Sequence, residues 1–346
     1  MGNYLLLSDK TKITGKPFGF VKSVSGEVVF ATGMTGYPQA FTDPSFEGQI
    51  LVTTYPIIGS YGVPEKKFWE SERIHISGLI VSQYIDTPSH HESKMTLDTW
   101  LKKEKIPALE IKDTRFITEH LRNSGTMLGK IINNKDVPFY NPDTDNLLSK
   151  VSTKEIISMG IGKKTILMID CGAKSNIARC FLKRGVKVIV APWDFDVFGK
   201  EGNRLRFDAI FISNGPGNPK MAGKTVETVK KAMENKIPVL GICFGNQILA
   251  LAGGGDTYKL KFGHRSQNQP CLLEGTKRCF ITTQNHGYAV KNIPEGFNPW
   301  FTNANDNTNE GIIHKKYPFM SVQFHPEATP GPMDTEWIFD FFLEKI

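Results

Sequence analysis

Between Lys164 and Cys243 compact apolar runs alternate with helix-forming stretches, and this alternation restricts the fold more than any other feature of the sequence. The apolar runs are residues 165–169, 187–192, 208–213 and 239–243; the helical stretches are 176–184 and 225–235. Strand, helix, strand, helix at this spacing predicts βαβ units, because parallel strands need a crossover that covers a face of the sheet. Strands buried on both faces read as continuous apolar runs, as these do. Residues 319–325 supply a late strand and 334–345 a closing helix. In such sheets chemistry collects at the carboxyl ends of the strands.

The amino-terminal part has a different texture. Short β-prone runs at 4–7, 27–31 and 49–54 are separated by Gly, Pro, Asp and Ser, and 79–84 is a further apolar strand. Helices are expected at 97–103 and 114–122, the second with Phe116, Ile117, His120 and Leu121 on one face before Gly125 stops it. The expected fold class is therefore α/β: residues 1–150 as a mixed, β-rich domain and 164–346 as a mostly parallel-sheet α/β domain, with the polar 133–150 stretch as linker flank. The 346-residue length gives the same count at about 150 residues per domain.

A net charge of +7, from 42 basic and 35 acidic side chains, raises the question of nucleic acid or an anionic membrane. The lysine pairs at 102–103, 163–164, 230–231 and 315–316 are scattered, so a solvated surface is the better account and neither partner is expected. No run of about 18 apolar residues could span a bilayer. The opening residues lack the layout of a secretory signal or transit peptide, which favours the cytoplasm, with the mitochondrion as the alternative. Five cysteines, an odd number without C-x-x-C spacing, argue against a disulfide framework or a zinc site.

The run 237–242 enters Gly241-Ile242-Cys243-Phe244-Gly245, a G-x-nucleophile-x-G elbow with cysteine as the nucleophile. Glycines permit the tight turn, a helix amino terminus favours thiolate, and the Phe244 amide would point at a developing oxyanion. A lone intracellular cysteine is ordinarily a small buried hydrophobe; the elbow outweighs that reading here. Cys171 also follows a strand but lacks the flanking glycines, and with Cys180, Cys271 and Cys279 is expected to be a packing residue. A cysteine nucleophile needs a base and the base an orienting acceptor. His325-Pro326-Glu327 offers both at the end of an apolar strand. His286, in Gln284-Asn285-His286-Gly287-Tyr288, has no carboxylate nearby in sequence, and the segment is expected to be a binding loop. Asn214-Gly215-Pro216-Gly217 could lend an amide to the oxyanion hole. The same stretch is not a P-loop, since five residues rather than four separate Gly217 from Gly223, and no G-x-G-x-x-G follows a strand.

With Cys243, His325 and Glu327 in this order on a parallel sheet, the second domain resembles a class I, triad-type glutamine amidotransferase. Gly33-Met34-Thr35-Gly36-Tyr37-Pro38, Thr42-Asp43-Pro44-Ser45-Phe46 and Tyr55-Pro56-Ile57-Ile58-Gly59 resemble the amino-terminal domain of the carbamoyl-phosphate synthetase small subunit. Asp113-Thr114-Arg115, Gly125-Thr126-Met127-Leu128-Gly129, Asp170-Cys171-Gly172, Asn268-Gln269-Pro270 and Gln284-Asn285-His286-Gly287 extend the resemblance over essentially the whole chain.

The resemblance implies that Cys243 is the nucleophile, His325 the base and Glu327 its partner. It also implies that L-glutamine is held by Ser45, Gly215, Gly217, Phe244, Gln247, Asn285, Gly287 and Tyr288. Glutamine would be hydrolysed to glutamate and ammonia, and the ammonia passed to a large synthetase subunit that builds carbamoyl phosphate from bicarbonate and ATP. No cofactor or metal is then expected in this chain, with ATP and Mg on the partner. Asn246 stands where many members have His, and Ser266 where many have Gly. Asn246 and residues 329–336 lean toward the ammonia-using and type III synthetases, in some of which the domain is silent. A non-catalytic scaffolding subunit and a cysteine hydrolase of another amide are the competing functions.

Overall fold

The structure, a computed structural model, describes residues 2–346. It divides into two compact units, one ending at Asp145 and the other spanning Asn146–Ile346. Residues 146–150, expected in the first domain, and 151–163, between the two expected domains, thus pack with the second unit and add the short helix Leu148–Val151 and the edge strand Ile157–Met159 to it.

The first unit is built on an eight-stranded mixed sheet in the order Lys12–Thr14, Tyr4–Leu7, Met127–Ile132, Val24–Ala31, Gln49–Thr53, Gly78–Val81, Pro107–Glu110, Lys16–Gly19. The single strand expected at 79–84 breaks after Val81, and Gln83–Tyr84 instead pairs with Ile57–Ile58. Helix Leu97–Lys103 is capped by the Thr96 hydroxyl and helix Thr114–Ser124 by Asp113, each satisfying an amide that the first helical turn leaves without a partner. Ile117 and Leu121 of the second helix are buried as expected, but Phe116 is exposed and stacks on His120. A four-residue spacing brings those two rings together on the outer side of the helix.

The second unit carries a ten-stranded sheet. Its parallel centre runs Lys187–Pro192, Thr165–Asp170, Ala209–Ile212, Val239–Ile242, Phe319–Val322. Successive residues of Thr165–Asp170 point to opposite faces, so Ile166 and Met168 join one apolar cluster and Leu167 and Ile169 another. Helices Ser175–Lys183 and Trp337–Leu343 cover the first face through Phe181, Phe339 and Phe342. Gly223–Glu234 and Phe244–Ala252 cover the second through Val229, Ile248 and Leu249. Beyond Phe319–Val322 the sheet continues antiparallel through Asn309–His314, Phe297–Asn303, Asp256–Leu273 and Cys279–Asn292. Residues 284–288, expected as a binding loop, therefore lie within a strand of a bulged ribbon. Among the described residues no helix is long and apolar enough to cross a membrane.

Candidate active site

Strand Val239–Ile242 runs directly into helix Phe244–Ala252, and Cys243 is the only residue between them. The turn is tight enough to need its glycines: a Cβ on Gly241 would lie 2.4 Å from the Gly245 carbonyl oxygen, and one on Gly245 would lie 2.3 Å from that of Ile212. Cys243 itself has φ 57° and ψ −101°, a conformation that costs an L-residue about 1–3 kcal/mol and is kept only where the surroundings enforce it. Its amide donates to the Val322 carbonyl at 2.8 Å, which ties the elbow to the neighbouring parallel strand. Since Ile242 and Val322 are register partners, the residues just beyond them emerge together at the carboxyl edge of the sheet.

Three residues after Val322, His325 is buried, its amide held by the Thr283 carbonyl at 2.9 Å. Its Nδ1 donates to Oε1 of Glu327 at 2.6 Å, leaving Nε2 without a hydrogen-bond partner among the described residues. Burial disfavours the imidazolium, yet the Glu327 carboxylate and then Cys243 reverse this and push His325 up to about 10. Glu327 is pulled down to about 2: burial opposes its charge, but Lys174 and His325 outweigh it. The Cys243 thiol, also buried, donates to the Asn285 carbonyl oxygen at 3.6 Å.

Of the expected ligand-binding residues, all but Ser45 belong to the second unit. Gln247, one turn along the helix, donates through Nε2 to the Tyr288 carbonyl at 2.9 Å and to Oε1 of Gln323 at 3.1 Å. Asn285, Gly287 and Tyr288 follow one another on the strand beside the thiol. Gly215 packs on Cys171, where a Cβ would lie 2.2 Å from the carbonyl oxygen, while Gly217 turns with φ 82° over Leu147. Ser45 belongs to the first unit, buried in the turn Pro44–Phe46, with its amide held by Oδ1 of Asp43 at 2.9 Å. The Phe244 amide opens the helix, where amides lack intrahelical acceptors. A thiol on a strained elbow, an imidazole with its proton fixed by a carboxylate and a helix amino terminus are the parts that acyl transfer through a thioester requires.

The class-I glutamine amidotransferase family matches residues 167–345, and the carbamoyl-phosphate synthase small chain, CPSase domain, matches residues 5–131. The chain belongs to the class-I glutamine amidotransferases. Its amino-terminal part belongs to the carbamoyl-phosphate synthase small chain. It is 45% identical to the multifunctional protein ura1 of Schizosaccharomyces pombe, covering 99% of this chain and 17% of that protein. It is 47% identical to the multifunctional protein CAD of Squalus acanthias, over 98% of this chain and 16% of that one. With the mitochondrial carbamoyl-phosphate synthase [ammonia] of Homo sapiens it shares 45% identity over 99% of this chain and 24% of the human protein.

One residue of this amidotransferase that no local pattern in the sequence marks is Lys174. It is 3% exposed, and its Nζ donates to Oε1 of Glu327 at 2.9 Å and to the Ala328 carbonyl. Its amide is held by Oδ1 of Asn214 at 3.0 Å. A lysine at the start of a helix gives no sign of a partner so distant in the chain; the one local hint is its place two residues after Asp170-Cys171-Gly172. Asn246 is fully buried and satisfied: Oδ1 accepts from Ser321 Oγ at 2.8 Å and Nδ2 donates to Gln323 Oε1 at 3.2 Å. Cys171, Cys180 and Cys271 are buried, and burial pushes all three thiols up. Cys279, expected to pack, is exposed at the start of its strand, since alternation turns its side chain away from the core.

Proposed function

We propose that the chain is the glutamine-hydrolysing part of a carbamoyl-phosphate synthase. The observation that carries the proposal is the strained elbow cysteine beside the buried His325–Glu327 pair. Cys243 attacks the side-chain amide of glutamine as Nε2 of His325 takes up the thiol proton. The resulting imidazolium is stabilised by Glu327, which fixes its other nitrogen, and Lys174 holds that carboxylate in place. The Phe244 amide faces the oxyanion of the tetrahedral intermediate, with an amide of the Asn214–Gly217 turn as the second donor. His325 returns its proton to the departing ammonia, and water activated by the same imidazole releases glutamate from the thioester.

Glutamine is held by Ser45, Gly215, Gly217, Phe244, Gln247, Asn285, Gly287 and Tyr288. The ammonia passes to a synthetase chain or segment that uses bicarbonate and ATP, with ATP and magnesium bound there. The curated relatives, several times longer than this chain, are consistent with such a partner. Five unpaired cysteines suit the cytoplasm and a mitochondrial matrix alike, and subcellular fractionation distinguishes them.

Steady-state glutamate release, measured with the synthetase partner present, tests the proposal. Cys243→Ser should abolish release that the wild type supports. Equal, slow release from both would leave the chain as a silent or scaffolding subunit instead.

A further inference from the structure

His264 and His286 are register partners across the ribbon formed by Asp256–Leu273 and Cys279–Asn292, and their rings meet edge to face with centroids 5.0 Å apart. Glu310, from the strand Asn309–His314, completes a triangle with them. One ligand atom from each of the three lies within 4.8 Å of the others, and all three side chains are buried, Glu310 wholly.

The outward nitrogen of each ring is already engaged. Nε2 of His264 stands 2.8 Å from Oδ2 of Asp306, and Nδ1 of His286 stands 2.8 Å from the Tyr288 carbonyl oxygen. An imidazole that donates one N–H to a carboxylate or carbonyl presents a lone pair at its other nitrogen, the means by which metal-ligating histidines are oriented. Those inward lone pairs meet acceptors. Nδ1 of His264 has no hydrogen-bond partner among the described residues and lies 3.4 Å from Oε1 of Glu310. Oε2 of Glu310 also has none, while Oε1 accepts from Asn303 Nδ2 at 3.1 Å. Nε2 of His286 faces Oε1 of Gln284 at 3.1 Å, and the Gln284 amide nitrogen is turned to Cys271 and Thr282. A proton on His264 would answer its own lone pair but leave Oε2 of Glu310 and Nε2 of His286 unanswered. A cation between the three answers all of them.

We propose that His264 Nδ1, His286 Nε2 and a carboxylate oxygen of Glu310 form a site for a divalent transition-metal ion, with zinc favoured by the donor set of two imidazoles and one carboxylate. The ion would tie Asn309–His314 to the ribbon that carries Asn285, Gly287 and Tyr288. No cysteine takes part, so cysteine spacing gives no sign of the site. The proposal stands on these side chains alone and holds whether or not the chain hydrolyses glutamine.

Zinc chloride titrated calorimetrically into the chelator-stripped chain tests this. Cys243→Ser and Cys279→Ser are included throughout so that neither the nucleophile nor the exposed thiol can bind the metal. The expected result is uptake of one equivalent. His264→Asn and Glu310→Gln should each weaken it by at least about 100-fold, and Asp306→Asn by roughly 10–100-fold as the loss of an orienting partner. Cobalt in place of zinc should give a visible d–d absorption that His264→Asn removes. Absence of stoichiometric uptake overturns the proposal, as does uptake that both His264→Asn and Glu310→Gln leave unchanged. If Glu310→Gln does not fold by circular dichroism, His264→Asn and Asp306→Asn decide: unweakened binding in both overturns it equally.

Discussion

Replacing Lys174 with methionine strips a fully buried carboxylate of one of its two cationic neighbours. Lys174 and Glu327 are 3% and 0% exposed at the side chain, and 2.9 Å separate their charged atoms, so solvent screens the pair very little. Removing one partner of a buried pair costs about 3–5 kcal/mol, because the remaining charge keeps its desolvation penalty without its compensation. His325 remains 2.6 Å from the same oxygen, which puts the expected loss for Lys174→Met near the lower end of that range. For a unit the size of Asn146–Ile346, the full range corresponds to a fall in melting temperature of roughly 6–20 °C. Thermal and urea melts of the whole chain, followed by tryptophan fluorescence, measure it. A double-mutant cycle with Glu327→Gln separates charge from shape. With neither charge buried, Lys174→Met combined with Glu327→Gln should recover stability relative to Lys174→Met alone. A cost below about 1 kcal/mol, the value of an ordinary exposed pair, would refute the reasoning, and so would a double variant no more stable than the single one.

The pair also fixes a pH dependence. Glu327, at about 2 in the fold against an ordinary 4.5, contributes stability that is present above 4.5 and lost as pH falls through 2. His325, raised from 6.5 to about 10, contributes stability that is complete below 6.5 and lost as pH rises through 10. Urea midpoints should therefore show the pair's contribution greatest between 4.5 and 6.5, and His325→Gln should lose less stability on the alkaline side than wild type; an equal alkaline loss contradicts this. Gly245→Ala forces a Cβ to 2.3 Å from a backbone oxygen and should cost at least about 1–3 kcal/mol while abolishing glutamate release; a melting curve and activity like wild type would show that the elbow is not sterically closed. Ser45→Ala should raise the Michaelis constant for glutamine more than it alters labelling of Cys243 by a small alkylating agent. An unchanged Michaelis constant would show that the first unit does not touch substrate.

The parallel centre of the second sheet was legible because strands buried on both faces must be apolar throughout, so residues 165–169 and 187–192 stand out as blocks. The antiparallel half was not. Asp256–Leu273 and Cys279–Asn292 are interrupted by register shifts and carry buried Arg265, Gln284 and His286, so neither apolar blocks nor clean alternation mark them. Of the site, the elbow and His325-Pro326-Glu327 could be read because each is a local pattern set by turn sterics. Lys174 could not, since its meeting with Glu327 is decided by tertiary packing between segments far apart in sequence. Residues 79–84 looked like one strand because apolar content does not show that the chain changes pairing partner after Val81.

The cysteine proposed as nucleophile and the one open to solvent stand in an inconvenient order. Cys243 is 2% exposed, whereas Cys279 is open to solvent. A bulky thiol reagent added to the folded chain will therefore register Cys279 first, and its titration curve will say nothing about Cys243. Counting Cys243 needs a reagent small enough to enter the fold, or a chain from which Cys279 has been removed. The same inversion shields Cys243 from large oxidants in a failing redox environment, so its oxidation under mild conditions would trace to small diffusible oxidants that reach buried sulfur.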